Sequence, residues 1–455
     1  MIKQEQIIGD IPPSKEVYRK TFDVAWPSAV ESVLVNLINS IDTIMVGSIG
    51  ASAIAAVGIT NQPKFILLAL IFSLNIGVTT VIARRRGEQN QQGANRCLRQ
   101  AIMVCMGLSL LLSCIGFFGA RPILSFAGAG QDILDEAVAY FRINMLGFVF
   151  MSVGLTINAA QRGAGNTKIS MRTNLVANSI NLILNYLLIG GNLGFPKMGV
   201  QGAALATIIG QLIAFIMSVL SIVKRNSFLV INREDKWNFD QETMSSVLKI
   251  ASSAVVEQVF MRAGFFIYAK IVAGLGTAAF ATHQICMNII GLSFAFGDGF
   301  STAVTSLVGQ SLGANRSDMA QIYVKATKKI MYAISSLLFC IFIFGRAWLV
   351  GLFTDDMQII QQGSQIMYVI AITTVAQTSA LVYSGCLRGA GDAKFNAFVA
   401  FISIAILRPF NAWLFCYPVG LGLFGAWISL LIDQCIRWIC NYLRFRGGYW
   451  KQIKV

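Results

Sequence analysis

Charge is scarce in this sequence. Asp, Glu, Lys and Arg make up 13% of its 455 residues, about half the ~25% of an ordinary soluble domain, while hydrophobic residues reach 55%. A mean hydropathy of +0.65 over this length excludes one oversized soluble core, because single cores stop growing at roughly 250–300 residues. A single histidine excludes a multi-histidine metal site. The nine cysteines stand singly, mostly inside apolar runs and without a CxxC pair, and read as small core hydrophobes rather than a disulfide framework. HExxH, GxSxG and GxxxxGKS/T are absent, so no enzymatic activity is expected and any pumping has to draw on an ion gradient rather than a P-loop nucleotidase. Residues 1–20 are polar and mixed in charge. The first apolar segment therefore reads as an uncleaved span rather than a signal peptide.

What the chain does have is long apolar runs. Phe65 to Ala83, Ala101 to Ala120 and Ala203 to Val223 carry no acid or base, and each approaches the ~20 residues needed to cross a ~30 Å hydrocarbon layer. A lipid-embedded segment must satisfy its own backbone hydrogen bonds, so these runs are helices. Loop signals bound spans near 22–47, 53–83, 98–120, 136–160, 171–191, 201–223, 248–271, 279–309, 328–350, 362–386, 396–416 and 422–442. The expected fold is an all-α polytopic membrane protein with twelve transmembrane helices in two pseudo-symmetric six-helix lobes. Its divisions are an N-terminal segment 1–21, an N-lobe 22–224, a linker 225–247, a C-lobe 248–443 and a tail 444–455.

The net charge of +15 is spread over short segments between spans, without an aromatic-interleaved basic domain, and so points to membrane topology rather than nucleic acid. Loops after even-numbered spans hold nineteen Lys and Arg, from Arg84 to Lys394. The opposite side offers four: Arg121, Lys197, Arg346 and Lys270. The positive-inside rule then puts those loops and both termini in the cytoplasm, in a multi-pass plasma (inner) membrane protein.

The second half repeats the first. A shift of 226 residues sets Glu31 on Glu257, Gly50 on Gly276, Thr79 on Thr305 and Gly87 on Gly313. It also sets Arg162-Gly163-Ala164-Gly165 on Arg388-Gly389-Ala390-Gly391, and Asn185 on Asn411. Each unit has an even number of spans, so the copies insert the same way up around an axis along the membrane normal, and transporters bind substrate near such a repeat interface.

Ionisable groups inside spans cost roughly 2.5–3.5 kcal/mol on insertion scales, and each is a functional candidate by default. Glu31 and Asp42 share one face of the first span, since eleven residues at 100° make three turns plus about 20°, roughly 16 Å apart. Glu257 in the seventh span is the repeat mate of Glu31; a pair with Arg262 is its structural alternative, but five residues set the two about 140° apart. Asn174, Asn178, Asn181 and Asn185 recur at spacings of four, three and four, forming one polar stripe. Such a stripe suits either a cation or substrate site or interhelical hydrogen bonding. Asp298, between two glycines, and His283 are further polar points in the eighth span, His283 reading equally as a packing residue or a proton relay. Asp433 lies four before Arg437, a spacing that favours a structural pair. Arg408 precedes Pro409, an expected kink.

Ile41-Asp42-Thr43-Ile44-Met45-Val46-Gly47, the twinned Arg-Gly-Ala-Gly loops and the segment Val308-Gly309-Gln310 with Leu312-Gly313-Ala314 resemble the multidrug and toxic compound extrusion (MATE) transporters over essentially the whole chain. The resemblance implies two six-helix lobes in a V and export of cationic or amphipathic organic compounds against inward H⁺ or Na⁺, with no other cofactor. It carries Asp42 and Asn181 over to a cation-coupling cluster in the N-lobe, which Asn185 joins by its position, and Glu257 to one in the C-lobe; Glu31, Asn178, His283 and Asp298, read from their place in the spans, and Gln377 are candidates for a further substrate or cation relay. Asn185 stands where some relatives have a second aspartate, and Gln377 roughly where others have one, which leans towards H⁺. The competing reading is a lipid or lipid-linked glycan flippase of the same superfamily. The expected partners are a small-molecule substrate and membrane lipids, and a duplicated lobe makes a monomer sufficient.

Overall fold

A computed structural model of the chain describes residues 7–47, 49–223, 227–232 and 237–453. Lys224, Arg225, Arg233 and Lys236, counted in the orientation reading, and parts of the expected segment 1–21 and linker 225–247 lie outside the described residues. The described residues are predominantly helical, without strands. In chain order the helices are α1 (Ser14–Gly47), α2 (Ala51–Gly87), α3 (Gln91–Phe118), α4 (Ala120–Phe126), α5 (Gln131–Gly163), α6 (Thr167–Gly190), α7 (Gly199–Val223) and α8 (Gln241–Ala273). They continue as α9 (Thr277–Gly313), α10 (Ser317–Phe344), α11 (Arg346–Gly351), α12 (Met357–Ala390), α13 (Ala393–Ala400), α14 (Arg408–Cys416) and α15 (Gly422–Gly447). A π-helical stretch, Phe401–Leu407, joins α13 to α14.

Among the described residues ten helices are long and apolar enough to cross a membrane. The long helices α1 and α6 are not among them; in α6 the four asparagines lower the mean hydropathy. Inside the spans, hydroxyls that no water reaches turn back on their own helix. Ser73 donates to the Ala69 carbonyl at 2.7 Å, Ser152 to Phe148 at 2.7 Å and Thr373 to Val369 at 2.7 Å. This removes the cost of an unmade hydrogen bond in an apolar surrounding.

The chain forms two compact units, Val33–Ala251 and Met1–Ser32 with Ser252–Val455, so the divisions fall inside α1 and α8. In the second unit the first half of α1 buries Val17, Val24, Ala25 and Ala29 with Phe300, Val304 and Leu307 of α9 and Val382 and Leu387 of α12. In the first unit, Val46 of α1 shares a buried cluster with Ala53, Tyr140, Ile189 and Val200.

The 226-residue repeat is written into the backbone. Both ends of α2 recur 226 positions on as the ends of α9, both ends of α3 as those of α10, and α6 returns as 393–416. Gln89 and Asn315 take the same left-handed φ, 56° and 57°. The twinned Arg-Gly-Ala-Gly motif has a steric cause in each copy. A Cβ on Gly163 would lie 2.6 Å from the Thr79 carbonyl oxygen, and one on Gly389 would press on that of Thr305, so both first glycines permit close helix approach. Alongside, Thr79 Oγ1 donates to the Ala159 carbonyl and Thr305 Oγ1 to that of Gly385, each at 3.0 Å. The second glycines, Gly165 and Gly391, turn the chain at φ 87° and 89°.

Pro409 shapes the eleventh expected span. Its missing N–H and its ring forbid regular α-helix toward Ala405, and the chain answers with the wider π turn Phe401–Leu407 immediately before it, a known response to a local break in the ladder.

Candidate functional site

Within the unit Val33–Ala251, three helices bring the first cluster together. Asp42, near the end of α1, is half-buried; Asn181 and Asn185 on α6 are buried, at 6% and 1% exposure. The Asn185 amide nitrogen donates to Asp42 Oδ1 at 2.8 Å. With its nitrogen facing the carboxylate, Asn181 donates to both Asp42 oxygens, at 3.1 and 3.2 Å, and its own oxygen accepts from the Thr207 N–H of α7 at 3.1 Å; that orientation satisfies both ends of the amide. Helix α7 comes this close because position 210 is glycine: a Cβ there would meet the Ala177 carbonyl oxygen at 2.9 Å and Asn181 Cβ at 3.2 Å. Asn185 Oδ1 is buried without a partner among the described residues, which leaves one acceptor in reserve. Asn174 and Asn178 continue the stripe but are half-buried.

Lys64 of α2 and Tyr140 of α5 complete the surroundings, both within electrostatic range of Asp42. Sequence reasoning passed over Lys64. It lies inside the expected span 53–83, one residue before a charge-free run, and reads there as an edge residue. A lysine in the interior of a span was the available signal.

The unit formed by Met1–Ser32 and Ser252–Val455 holds the other acids. Glu257 on α8, 2% exposed, takes a hydrogen bond from Arg388 Nη2 at 2.5 Å. The partner is therefore Arg388 of the Arg-Gly-Ala-Gly motif, not Arg262 on the same helix. Asp298 on α9 lies in the electrostatic range of Arg388, with its side chain exposed. Asp433 is likewise paired across helices. Arg408 donates to its Oδ2 through Nη2 and, at 3.2 Å, through Nε, and both residues are 1% exposed. The expected partner Arg437, one turn further on α15, gives way because the guanidinium fork of Arg408 offers two N–H groups to one oxygen. Phe265 and Tyr268 stack against Arg408, 4.9 and 5.9 Å from ring centre to guanidinium carbon.

His283, 4% exposed, sits among the rings of Tyr268, Phe280 and Trp427 at 5.6, 6.3 and 5.5 Å. Gln377 on α12 is fully buried, with neither amide atom hydrogen-bonded among the described residues. Glu31, half-buried, lies on the part of α1 that belongs to this unit, whereas Asp42 on the same helix belongs to the other. The structure thus joins Asp42 with Asn181 and Asn185, and Glu257 with Arg388. It does not join His283 or Gln377 to either group by any hydrogen bond among the described residues.

Apolar spans, a backbone duplicated at 226 residues and buried carboxylates on interior helix faces define a polytopic membrane carrier. A model of the MatE family matches residues 27–187 and 253–414, once in each half, and the chain belongs to that family: it is a transporter, not an enzyme. The uncharacterized transporter YisQ of Bacillus subtilis is 28% identical over 437 residues, covering 95% of this chain and 94% of its own. A probable multidrug resistance protein NorM of Thermotoga maritima is also 28% identical, covering 96% and 94%. Among solved structures, MATE in complex with MaD3S superposes with a TM-score of 0.89 at 21% identity, over 96% of this chain and 97% of that one. A MOP superfamily transporter from Pyrococcus furiosus gives 0.88 at 20% identity, over 98% and 100%.

Proposed function

We propose that the chain is a secondary active exporter that moves small organic, cationic or amphipathic compounds out of the cell in exchange for an inward cation. The transmembrane body is read as twelve spans in two six-helix lobes, 22–224 and 248–443, in the plasma membrane with both termini cytoplasmic, working as a monomer by alternating access. The observation that carries the reading is the Asp42 carboxylate held by the Asn185 amide at 2.8 Å, within the expected spans 22–47 and 171–191. A carboxylate lodged among span helices is costly to keep charged unless something compensates it, and here the compensation comes from two amides and the nearby Lys64. None of these matches a full opposite charge in direct contact, so a proton or a cationic substrate competes for the same oxygens.

Glu257 is placed differently. Its charge is already met by Arg388 at 2.5 Å, which favours a structural or gating pair there and Asp42 as the coupling residue. The amide nitrogens aimed at Asp42 support H⁺ over Na⁺, because a sodium ion seeks oxygen ligands and a proton needs only the carboxylate. A proton on Asp42 removes the charge that strengthens the hydrogen bonds from Asn181 and Asn185 and so loosens α1 from α6; a cationic substrate restores the negative charge. The multidrug resistance naming of a relative such as that of Thermotoga maritima supports export rather than lipid flipping.

Efflux of a fluorescent organic cation from proteoliposomes, driven separately by H⁺ and by Na⁺ gradients, tests the reading. Export under the H⁺ gradient, lost in Asp42→Asn and kept in the exposed Asp135→Asn, is expected. Absence of cation efflux under either gradient rejects it.

A further inference from the structure

On the surface of the second unit, α13, the π turn and α15 enclose a groove of about 290 Å³. Its walls are Val399, Ile402, Ile436 and Cys440. Phe398 and Leu443, exposed by 58% and 57%, form its lips. The helices that build it are apolar enough to span the membrane, and no described residue covers the lips. Arg444 stands at one end of the groove. Its Nε donates to Asp392 Oδ2 at 2.8 Å, and its guanidinium carbon lies 5.1 Å from the ring centres of both Phe395 and Tyr449. The guanidinium is thus held at Nε by the carboxylate and flanked by two rings. Lys394, Arg446 and Lys451 stand within two positions in sequence of the groove-lining Phe395, Arg444 and Tyr449.

We infer that this groove binds an anionic glycerophospholipid of the surrounding bilayer, with an acyl chain against Val399, Ile402 and Cys440 and the phosphate on Arg444. An apolar channel ending at a fixed guanidinium matches an amphiphile carrying a negative head. Arg presents paired N–H donors to phosphate oxygens, and clustered bases at a span's cytoplasmic end attract anionic lipid by about 1 kcal/mol each near the surface. A zwitterionic lipid offers the same chain but no net charge for Lys394 and Arg446. A free phosphate compound offers the charge without the chain. The π turn contributes too: by widening the helix at Ile402 it shapes a wall that a regular α-helix would set differently.

The test is thermal unfolding of the purified full-length protein in detergent with added phosphatidylglycerol, phosphatidylcholine or glycerol 3-phosphate. Native mass spectrometry on the same samples counts retained lipid. The expected result is a larger upward shift, and a retained lipid, with phosphatidylglycerol only. Arg444→Gln weakens that binding roughly tenfold, the loss of one charge-assisted contact, and Cys440→Phe, which fills the groove, abolishes it. Arg446→Gln weakens it less than Arg444→Gln does. Equal shifts with phosphatidylglycerol and phosphatidylcholine overturn the inference, as does undiminished phosphatidylglycerol retention in folded Cys440→Phe. A shift produced by glycerol 3-phosphate alone overturns it in favour of a free-anion site, and protein dimers displacing the lipid overturn it in favour of a second copy.

Discussion

Asn185 Nδ2 lies 2.8 Å from Asp42 Oδ1, although the two residues are 143 positions apart. The contact ties the end of α1 to the buried side of α6, and it exists only while Asp42 accepts. Asp42→Asn keeps the size of the side chain and removes its charge, so the fold should persist, with the midpoint of thermal unfolding within a few degrees of wild type. Transport should fall by more than about tenfold, the factor that corresponds to losing ~1.4 kcal/mol of coupling. Asn185→Ala should give a smaller loss, because Asn181 still faces the carboxylate.

Glu257→Gln should behave in the opposite manner. It removes the carboxylate that Arg388, a mostly buried cation, is hydrogen-bonded to, leaving the charge of Asp298 in its electrostatic range, and breaking such a pair from one side costs about 3–5 kcal/mol. Chemical unfolding should record that loss. The double variant Glu257→Gln with Arg388→Gln should recover much of it, since two neutral partners restore a hydrogen bond without a stranded charge. Stability at wild-type level in Glu257→Gln alone would contradict the pairing as a structural element.

The repeat makes a paired prediction. Gly163→Ala and Gly389→Ala each push a methyl group towards a threonine carbonyl, on Thr79 and Thr305 respectively. Each should destabilise by roughly 1–3 kcal/mol, the cost of overpacking a close contact. Gly58→Ala, where a Cβ would meet nothing within 4 Å, should be neutral or slightly stabilising in the same unfolding experiment.

Asp240 provides a pH-dependent element outside the spans. Its carboxylate accepts from the Thr243 hydroxyl at 2.5 Å and backbone N–H at 3.3 Å, with Arg96 at 3.7 Å. The Thr243 hydroxyl first, then that N–H and Arg96, hold its pKa below the usual carboxylate value. A depressed folded-state pKa adds stability above the unfolded pKa and loses it as pH falls through the folded one. Asp240→Ala should therefore lower stability by about 1 kcal/mol at neutral pH. The difference from wild type should shrink as pH drops below about 4.

Ten of the spans were legible because a lipid-embedded helix must be apolar over its whole crossing: the run ending at Ala83 falls inside α2, and 201–223 inside α7. Their polar ends were not, since α2 runs on through Arg84, Arg85 and Arg86 to Gly87, beyond the apolar signal. The Asp42 and Asn181–Asn185 cluster was legible in its parts, as an acid in one span and a stripe in another. Partner choice was less so. Periodicity fixes the face of a helix but not the neighbour it meets, so Glu257 found Arg388, 131 positions away, and Asp433 found Arg408 rather than the arginine one turn along. Lys64 was hidden by its position beside a charge-free run.

The most direct measurement of the central claim is proton release. Adding a cationic substrate to the purified protein in weakly buffered detergent solution should displace protons from wild type and none from Asp42→Asn, with Glu257→Gln still releasing them if folded. Equal release from wild type and Asp42→Asn would contradict the account.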